Sequence, residues 1–255
     1  GERDEGRGMT RASLRASPRR RMRSALRRTT TRARGALERG RTRSRGMSVS
    51  PSAVVERLRE ASAEVILGSG SATRRAVLTR MGIDHVVEKP DIDERAIRFD
   101  DPAVLVEALA RAKARAVVER VRDDAREGRR LLITCDQVVV HRGVIREKPS
   151  SAAEAREFIR GYGVDAPSTV GSVMVTDLSS GESALEVDVN TVVFAPFPED
   201  VVDAIVDEGE CMYCAGGLMV EHPMLQPYLR RIDGSMDGVM GLDAGVVERL
   251  LSKFV

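Results

Sequence analysis

The amino-acid sequence predicts an α/β protein built on a mixed sheet with flanking helices. Continuous apolar runs typical of buried strands alternate along the chain with segments whose apolar residues recur at helical spacing. Other segments alternate apolar and polar residues, as half-buried strands do. The chain has 255 residues, 42% of them hydrophobic, so it can bury the core that such a sheet needs.

The first 46 residues differ in composition from the rest. They contain sixteen Arg and four acidic residues, a net charge of +12, so residues 47–255 carry −10 of the chain's total of +2. We predict a disordered Arg-rich extension over 1–46 and a folded domain over 47–255. The extension is interpreted as an organellar transit peptide, as an unstructured stretch before a start at Met47, or as a nucleic-acid-binding arm. The acidic domain itself should repel nucleic acid.

The first half of the domain alternates helices and strands. A helix is expected in 51–62, a buried strand in 64–68, a helix in 73–82 that Gly82 ends, a short strand from His85 into an acidic turn, and a long helix in 101–128 opened by Asp-Pro.

The second half continues the alternation. An apolar run over 130–149 is interrupted at Asp136, and Arg142 and Gly143 are expected to form a hairpin turn. A helix in 150–163, two or three strands in 168–197, a helix in 198–210 and a last helix in 238–255 complete the prediction.

Composition also bears on where in the cell the protein is located. No apolar run approaches the roughly 20 residues that span a bilayer. Three cysteines are too few for a disulfide framework and favour a reducing compartment, so we predict a cytoplasmic protein. Cys211 and Cys214 have zinc-ligand spacing, but only His222 lies nearby, and ordinary thiols are expected.

Acidic residues supply the first candidates for chemistry. Asp136 follows four residues suited to a sheet interior, where an unpaired carboxylate is costly, so it either caps a turn or serves as a metal-linked carboxylate or general base. Asp91, Asp93 and Glu94 lie in one turn, which can offer oxygen ligands to Mg²⁺.

A candidate phosphate site lies in "LGSGSATRR". A small-residue turn before a helix exposes backbone N–H groups, Ser69 and Ser71 add hydroxyls, and Arg74 and Arg75 add charge. The alternative is a capped helix with arginines in water.

Six motifs, taken in their order along the chain, resemble those of the Maf family of nucleoside triphosphate pyrophosphatases. They are "LGSGSATRRAVL", "PDIDE", "ALARAKA", "CDQVVVHRGVIREKP", "CAGGLMVE" and "VMGL". The resemblance covers the chain from about Glu64 to the C-terminus. It implies an elongated two-lobed fold with a central cleft, hydrolysis of nucleoside triphosphates to monophosphate and pyrophosphate with Mg²⁺ or Mn²⁺, removal of noncanonical or surplus nucleotides, and a homodimer.

The resemblance also implies residue roles. Asp136 matches the catalytic aspartate, which binds metal or takes the proton of the attacking water, and Glu94 matches a metal-linked glutamate. The positions matching those that handle phosphate are Ser69, Ser71, Arg74, Lys113 and Lys148, with Arg75 as a helper.

The resemblance also implies which nucleobase is preferred, through positions that differ between branches of the family. Gln137 and Glu221 resemble the pair of enzymes acting on 7-methyl-GTP, whereas a threonine with a glutamine is typical of dTTP/UTP enzymes. A carboxylate suits a guanine edge because it accepts from N1–H and the exocyclic amine. We therefore favour 7-methyl-GTP, with dTTP/UTP as the alternative. A non-catalytic regulator of cell division that binds nucleotide is the alternative from another class.

Three positions depart from the family pattern. Thr73 stands where the 7-methyl-GTP enzymes carry a tryptophan, Glu147 stands where a glycine commonly precedes Lys-Pro, and Asp243 replaces a usual proline. These departures predict blunted or redirected activity.

Overall fold

The computed structural model describes residues 52–121 and 128–255. The chain divides into two units, Gly1–Val49 and Ser50–Val255, and every described residue belongs to the second. The extension predicted over 1–46 lies outside the described residues and stays a prediction, as does the last part of the helix predicted over 101–128.

Seven α-helices form in the described part of the chain, and most begin at a side-chain cap. Ser71, Ser151 and Asp243 each accept a backbone N–H in the first turn of α2, α4 and α7. The helices are α1 (Ala53–Glu60), α2 (Ala72–Arg80), α3 (Pro102–Val121), α4 (Ala152–Tyr162), α5 (Glu199–Glu208), α6 (Met236–Val239) and α7 (Ala244–Leu251).

Seven strands form one mixed sheet, which confirms the predicted fold class. Its order is β2-β1-β3-β5-β6-β7, with β4 paired to β3. Pairs β1–β2 and β1–β3 are parallel and the others antiparallel. The strands are β1 (Glu64–Gly68), β2 (His85–Val87), β3 (Arg130–His141), β4 (Val144–Arg146), β5 (Ser168–Asp177), β6 (Ser183–Phe194) and β7 (Leu229–Asp233).

Strand β3 runs without a break through Asp136, so the alternative in which Asp136 caps a turn was wrong. Ten residues of β3 pair with β5, and this ladder holds the strand extended across the carboxylate. The predicted hairpin is confirmed: Arg142 and Gly143 both have positive φ, 52° and 72°, which matches the twist of a tight hairpin between β3 and β4.

Two segments were missed by the sequence prediction. Strand β7 has the sequence LRRID, in which charged residues interrupt the apolar pattern, and only pairing with β6 makes it a strand. Helix α6 has four residues, too short to show a helical period.

The two faces of β3 contact different layers. Leu132 and Val138 pack with α3 on one face. On the other face Ile133 and Cys135 join the cluster formed with α1, α2 and α7, whereas Val139 joins a separate cluster formed with α4 and α5. The sheet therefore supports two hydrophobic clusters on one side, with a gap between them. In the part of the chain that the structure describes, no helix has the length and apolarity needed to cross a membrane.

Candidate functional site

The site begins at an open edge of β3. Strand β1 pairs with β3 only as far as Thr134, and β4 begins to pair at Val139. Because β5 occupies the other edge of β3 from Leu131 to Val140, β1 and β4 share one edge and leave residues 135–138 without a strand neighbour there. Backbone groups at such an edge must find other partners. Side chains from both faces of the sheet can meet in this opening.

On the α3 face, three charged groups converge beside this edge. The Nζ atom of Lys113 lies 2.5 Å from Oδ1 of Asp136 and 2.8 Å from Oε1 of Glu94. Asp136 and Lys113 are 7% and 5% exposed, whereas the Glu94 side chain is exposed. Helix α3 holds Lys113, β3 holds Asp136, and the 3₁₀ turn Glu94–Ala96 brings Glu94 to them from solvent.

The protonation of this cluster follows from burial and charge. Burial raises the pKa of Asp136, and the Lys113 ammonium opposes that shift only in part. Burial lowers the pKa of Lys113, but the Asp136 and Glu94 carboxylates more than offset this and raise it above its ordinary value. Lys113 therefore stays protonated, and Asp136 is a stronger base than an exposed aspartate.

The predicted phosphate turn lies between β1 and α2, directly at the open edge. The Arg74 side chain crosses this open edge. Its Nη1 donates to Ser69 Oγ at 3.2 Å and to the Cys135 carbonyl at 3.3 Å, and its Nε donates to the Gly241 carbonyl at 2.9 Å. Arg74 thus satisfies a backbone group that the sheet leaves unpaired. Ser71 caps α2, accepting the Arg74 N–H at 3.4 Å, and its hydroxyl shares a hydrogen bond of 2.7 Å with Thr73.

On the opposite face of β3, a cleft of about 310 Å³ fills the gap between the two hydrophobic clusters. Gln137 lies on the floor of the cleft, because along β3 this residue stands between Cys135 of one cluster and Val139 of the other. Of the predicted residues, the cleft is lined by Ser71, Thr73, Arg74, Gln137, Lys148 and Glu221. Arg74 and Lys148 are the cations among the lining residues, and Glu221 is the one acid.

A short segment before α7 orients two of these residues. The Gln137 amide donates to the Gly238 carbonyl at 2.6 Å, and Arg74 donates to Gly241. Ser235 accepts the Gly238 N–H at 2.8 Å and donates its hydroxyl to Asp243. Asp243 also caps α7 by accepting the Val246 N–H at 2.8 Å. Asp243, which departs from the family pattern, therefore supports the backbone that holds Gln137 and Arg74.

Other predicted residues lie apart from these two groups. Arg75 is exposed on α2 and does not line the cleft. Asp93 accepts the Arg95 N–H at 3.0 Å as a cap, and Asp91 is exposed. Glu147 is exposed and forms an ion pair of 3.4 Å with Arg98. Of the acidic turn, Glu94 is the residue that contacts Lys113.

Asp136 and Glu94 form a candidate cation site. Both carboxylates already contact one cationic atom, Lys113 Nζ, so their oxygens converge. The described residues contain no group of three or more His, Cys, Asp or Glu side chains placed to hold a metal. Two carboxylates nevertheless suit Mg²⁺ or Mn²⁺, since Mg²⁺ commonly takes one or two and completes its shell with water and substrate phosphates.

Two residues near the site were missed at the sequence level. The Lys89 side chain lies over Gly70 of the phosphate turn, where a Cβ would come within 3.3 Å of its Cε. Tyr213 lines the cleft and is 79% exposed. An isolated lysine or tyrosine outside a motif carries no pattern, so spacing alone could not have identified either.

The chain matches the family model of Maf-like proteins over residues 64–254. This chain belongs to the Maf family. The family predicted from the six motifs is therefore confirmed.

Curated members of the Maf family align with this chain over most of their length. A 7-methyl-GTP pyrophosphatase of Dictyostelium discoideum is 36% identical over 194 residues, covering 75% of this chain and 98% of that protein. A dTTP/UTP pyrophosphatase of Neisseria meningitidis is 33% identical over 177 residues, covering 69% and 87%. A nucleoside triphosphate pyrophosphatase of Thermosynechococcus vestitus is 33% identical over 189 residues, covering 73% and 91%. Both branches weighed from the sequence are represented among these relatives.

Proposed function

We propose that this Maf protein hydrolyses the α,β-anhydride bond of nucleoside triphosphates to release a monophosphate and pyrophosphate, with 7-methyl-GTP as its preferred substrate. The observation that carries the proposal is the buried Asp136 carboxylate beside an opening that Arg74 crosses, next to a cleft wide enough for a nucleotide. The names of the relatives support the same reaction class.

The triphosphate is held by the cationic residues that line the cleft. Arg74 and Lys148 neutralise phosphate charge, and Ser69 and Ser71 offer hydroxyls in the turn between β1 and α2. Phosphoryl-centre attack needs mainly positioning and charge neutralisation, which a fixed guanidinium and ammonium provide.

Asp136 takes the proton of the attacking water. Its raised pKa suits it to this role, because a stronger base accepts a proton more readily. Lys113 holds the carboxylate in place and stabilises its charged form. The water oxygen bonds to phosphorus as the bond to the departing pyrophosphate breaks.

A divalent cation, Mg²⁺ or Mn²⁺, would be held by Asp136 and Glu94. When bound it neutralises charge on the phosphates that the side chains do not reach. Arg74 and Lys148, which line the cleft, remain to orient the substrate.

The base lies near Gln137 and Glu221, which both line the cleft. The Glu221 carboxylate can accept from both donors on the guanine edge, and Gln137 is already fixed by Gly238. A uracil or thymine edge offers one N–H and two carbonyls, which a carboxylate matches less well.

We further propose that the protein removes modified or surplus nucleotides in the cytoplasm, as a homodimer. Free thiols at Cys135, Cys211 and Cys214 fit a reducing compartment. The homodimer is an expectation from the family resemblance alone. The net charge of −10 on residues 47–255 disfavours nucleic acid as a substrate.

The proposal is tested by measuring how fast the full chain, supplied with Mg²⁺ or Mn²⁺, releases pyrophosphate from each of 7-methyl-GTP, GTP, dTTP, UTP and CTP. We expect the highest kcat/KM with 7-methyl-GTP. Preference for dTTP or UTP would support the second candidate, which the Neisseria relative represents. Absence of release from all five would contradict the enzymatic proposal and favour a non-catalytic nucleotide-binding role.

A further inference from the structure

Tyr213 is a large aromatic side chain that the fold leaves uncovered inside a cleft. It ends the 3₁₀ turn Glu210–Tyr213 and is 79% exposed, the highest value among the large hydrophobic side chains of the described residues. It is also the one aromatic among the residues that line the cleft. Exposing such a side chain on a concave surface forgoes apolar burial, which a ligand would restore.

The backbone that carries Tyr213 is fixed, although its side chain is free. Cys211 is fully buried in the cluster formed with α4 and α5. The Gly216 N–H donates to the Glu147 carbonyl at 2.9 Å, and the Tyr162 hydroxyl donates to the Gly216 carbonyl at 2.6 Å. The ring therefore projects from a rigid wall, so a stacked ligand would cost little backbone ordering.

Charge along the cleft decides which part of a nucleotide can reach Tyr213. Glu221 lies near Cys214, the neighbour of Tyr213. Burial, and after it the Glu221 charge, raises the pKa of that thiol, and the smaller effect of the Lys148 charge opposes it. Arg74 and Lys148 attract the phosphates and would repel a positively charged base. A cationic base is therefore favoured toward Glu221 and Tyr213, where a carboxylate and a π face both attract it.

We propose that Tyr213 stacks on the nucleobase and is a specificity-determining residue for a base that carries positive charge on its ring, such as N7-methylated guanine. This inference rests on the proposed function and deepens it. Leu218 and Val220 add apolar side chains to the lining of the same cleft. Thr73, on α2, lines the cleft but offers no π face, so among the lining residues this contact falls to Tyr213 alone.

A kinetic experiment tests the contribution to specificity. Tyr213→Ala should raise KM for 7-methyl-GTP by about threefold to thirtyfold, the range of a partly desolvated cation–π contact, with a smaller rise for GTP and little change in kcat. Tyr213→Phe should retain the wild-type ratio, because the ring and not the hydroxyl makes the contact. An equal effect of Tyr213→Ala on both substrates would overturn the inference.

A binding experiment tests the stacking directly. The chain contains no tryptophan, so Tyr213→Trp introduces a single indole whose fluorescence reports on its surroundings. Titration with 7-methyl-GMP should quench this fluorescence saturably, and GMP should do so more weakly. The matched control is Phe99→Trp, since Phe99 is 47% exposed and lies outside the cleft. It should show no saturable quenching.

The two proposals fail in different ways. If the wild-type chain releases pyrophosphate from 7-methyl-GTP but Tyr213→Trp is not quenched by 7-methyl-GMP, the stacking inference is wrong and the proposed function stands. If the wild-type chain releases no pyrophosphate from any triphosphate, the proposed function is wrong. Quenching in that second case would still establish Tyr213 as a base-binding residue.

Discussion

At the residue scale, the site depends on a carboxylate whose burial is only partly compensated. Asp136 is 7% exposed, and its Oδ1 lies 2.5 Å from Lys113 Nζ. Desolvation of both charges is costly, and such a pair is weak evidence of a purely stabilising role. Its position at an opening beside a nucleotide-sized cleft accounts better for its presence.

Asp136→Asn should lower kcat for pyrophosphate release by about 10²- to 10⁴-fold, because the amide cannot accept the proton of the attacking water. The fold should survive, since Lys113 keeps Glu94 at 2.8 Å. Steady-state kinetics with circular dichroism measures both. The control is Asp165→Asn, at an exposed aspartate paired with Arg142. Unchanged turnover in Asp136→Asn would refute the assignment of the base.

Arg74→Lys keeps the charge but removes the planar fork that reaches Ser69, Cys135 and Gly241. We expect KM for the triphosphate to rise on the order of tenfold, the value of one lost charge-assisted hydrogen bond. Initial-rate measurements over substrate concentration test this. Arg115→Lys, at an exposed arginine on α3, serves as the control. An unaltered KM in Arg74→Lys would show that charge alone suffices.

At the scale of elements, the short segment between β7 and α7 connects helix capping to the site. Helix α7 contributes Val246, Val247, Leu250 and Leu251 to the first hydrophobic cluster. Its cap, Asp243, also receives the Ser235 hydroxyl, and through Gly238 and Gly241 the same segment holds Gln137 and Arg74. Asp243 departs from the family pattern, which predicted blunted or redirected activity, yet in the structure its side chain takes part in the local hydrogen bonds.

Asp243→Ala should destabilise the protein by about 1–2 kcal/mol, the usual cost of losing an N-cap. Asp243→Asn should cost less, since its side-chain oxygen can still accept the Val246 N–H. Urea unfolding curves of the two variants and the wild-type chain measure the difference. Equal stability of Asp243→Ala and the wild type would mean that the cap hydrogen bond contributes nothing net.

At the scale of the whole molecule, the cleft exists because two hydrophobic clusters form on one face of a single sheet. Three alternate residues of β3 show the division: Cys135 packs in one cluster, Gln137 faces the gap, and Val139 packs in the other. The opposite face is covered by α3, which carries Lys113. The free edge of β3 connects the two sides.

Removal of divalent cations with a chelator should abolish pyrophosphate release, and added Mg²⁺ or Mn²⁺ should restore it. The melting temperature should change little, because apolar clusters hold the described domain together and two carboxylates with a lysine already neutralise part of their own charge. Activity assays and thermal melts with and without chelator test both expectations. Full activity in the presence of chelator would contradict the cation proposal.

Much of the fold was predictable because its elements carry local patterns. The long amphipathic run behind Asp101-Pro102 became α3, and the Arg142-Gly143 pair became a hairpin. The sequence left open whether β3 continues through Asp136, because a charged residue stands in the apolar run. The ladder to β5 and the Lys113 contact keep it in the strand. Strand β7 likewise exists only through its neighbour.

The sequence by itself determined the α/β class, the family and the set of candidate residues, since composition, periodicity and motif order are properties of the chain alone. Only the tertiary structure decided which candidates meet. It joined Asp136, Lys113 and Glu94 on one face of β3, placed Gln137, Lys148 and Glu221 at a cleft on the other, and left Arg75 in solvent. The reason is that contacts between residues far apart in sequence depend on sheet register and helix packing, which no local pattern encodes.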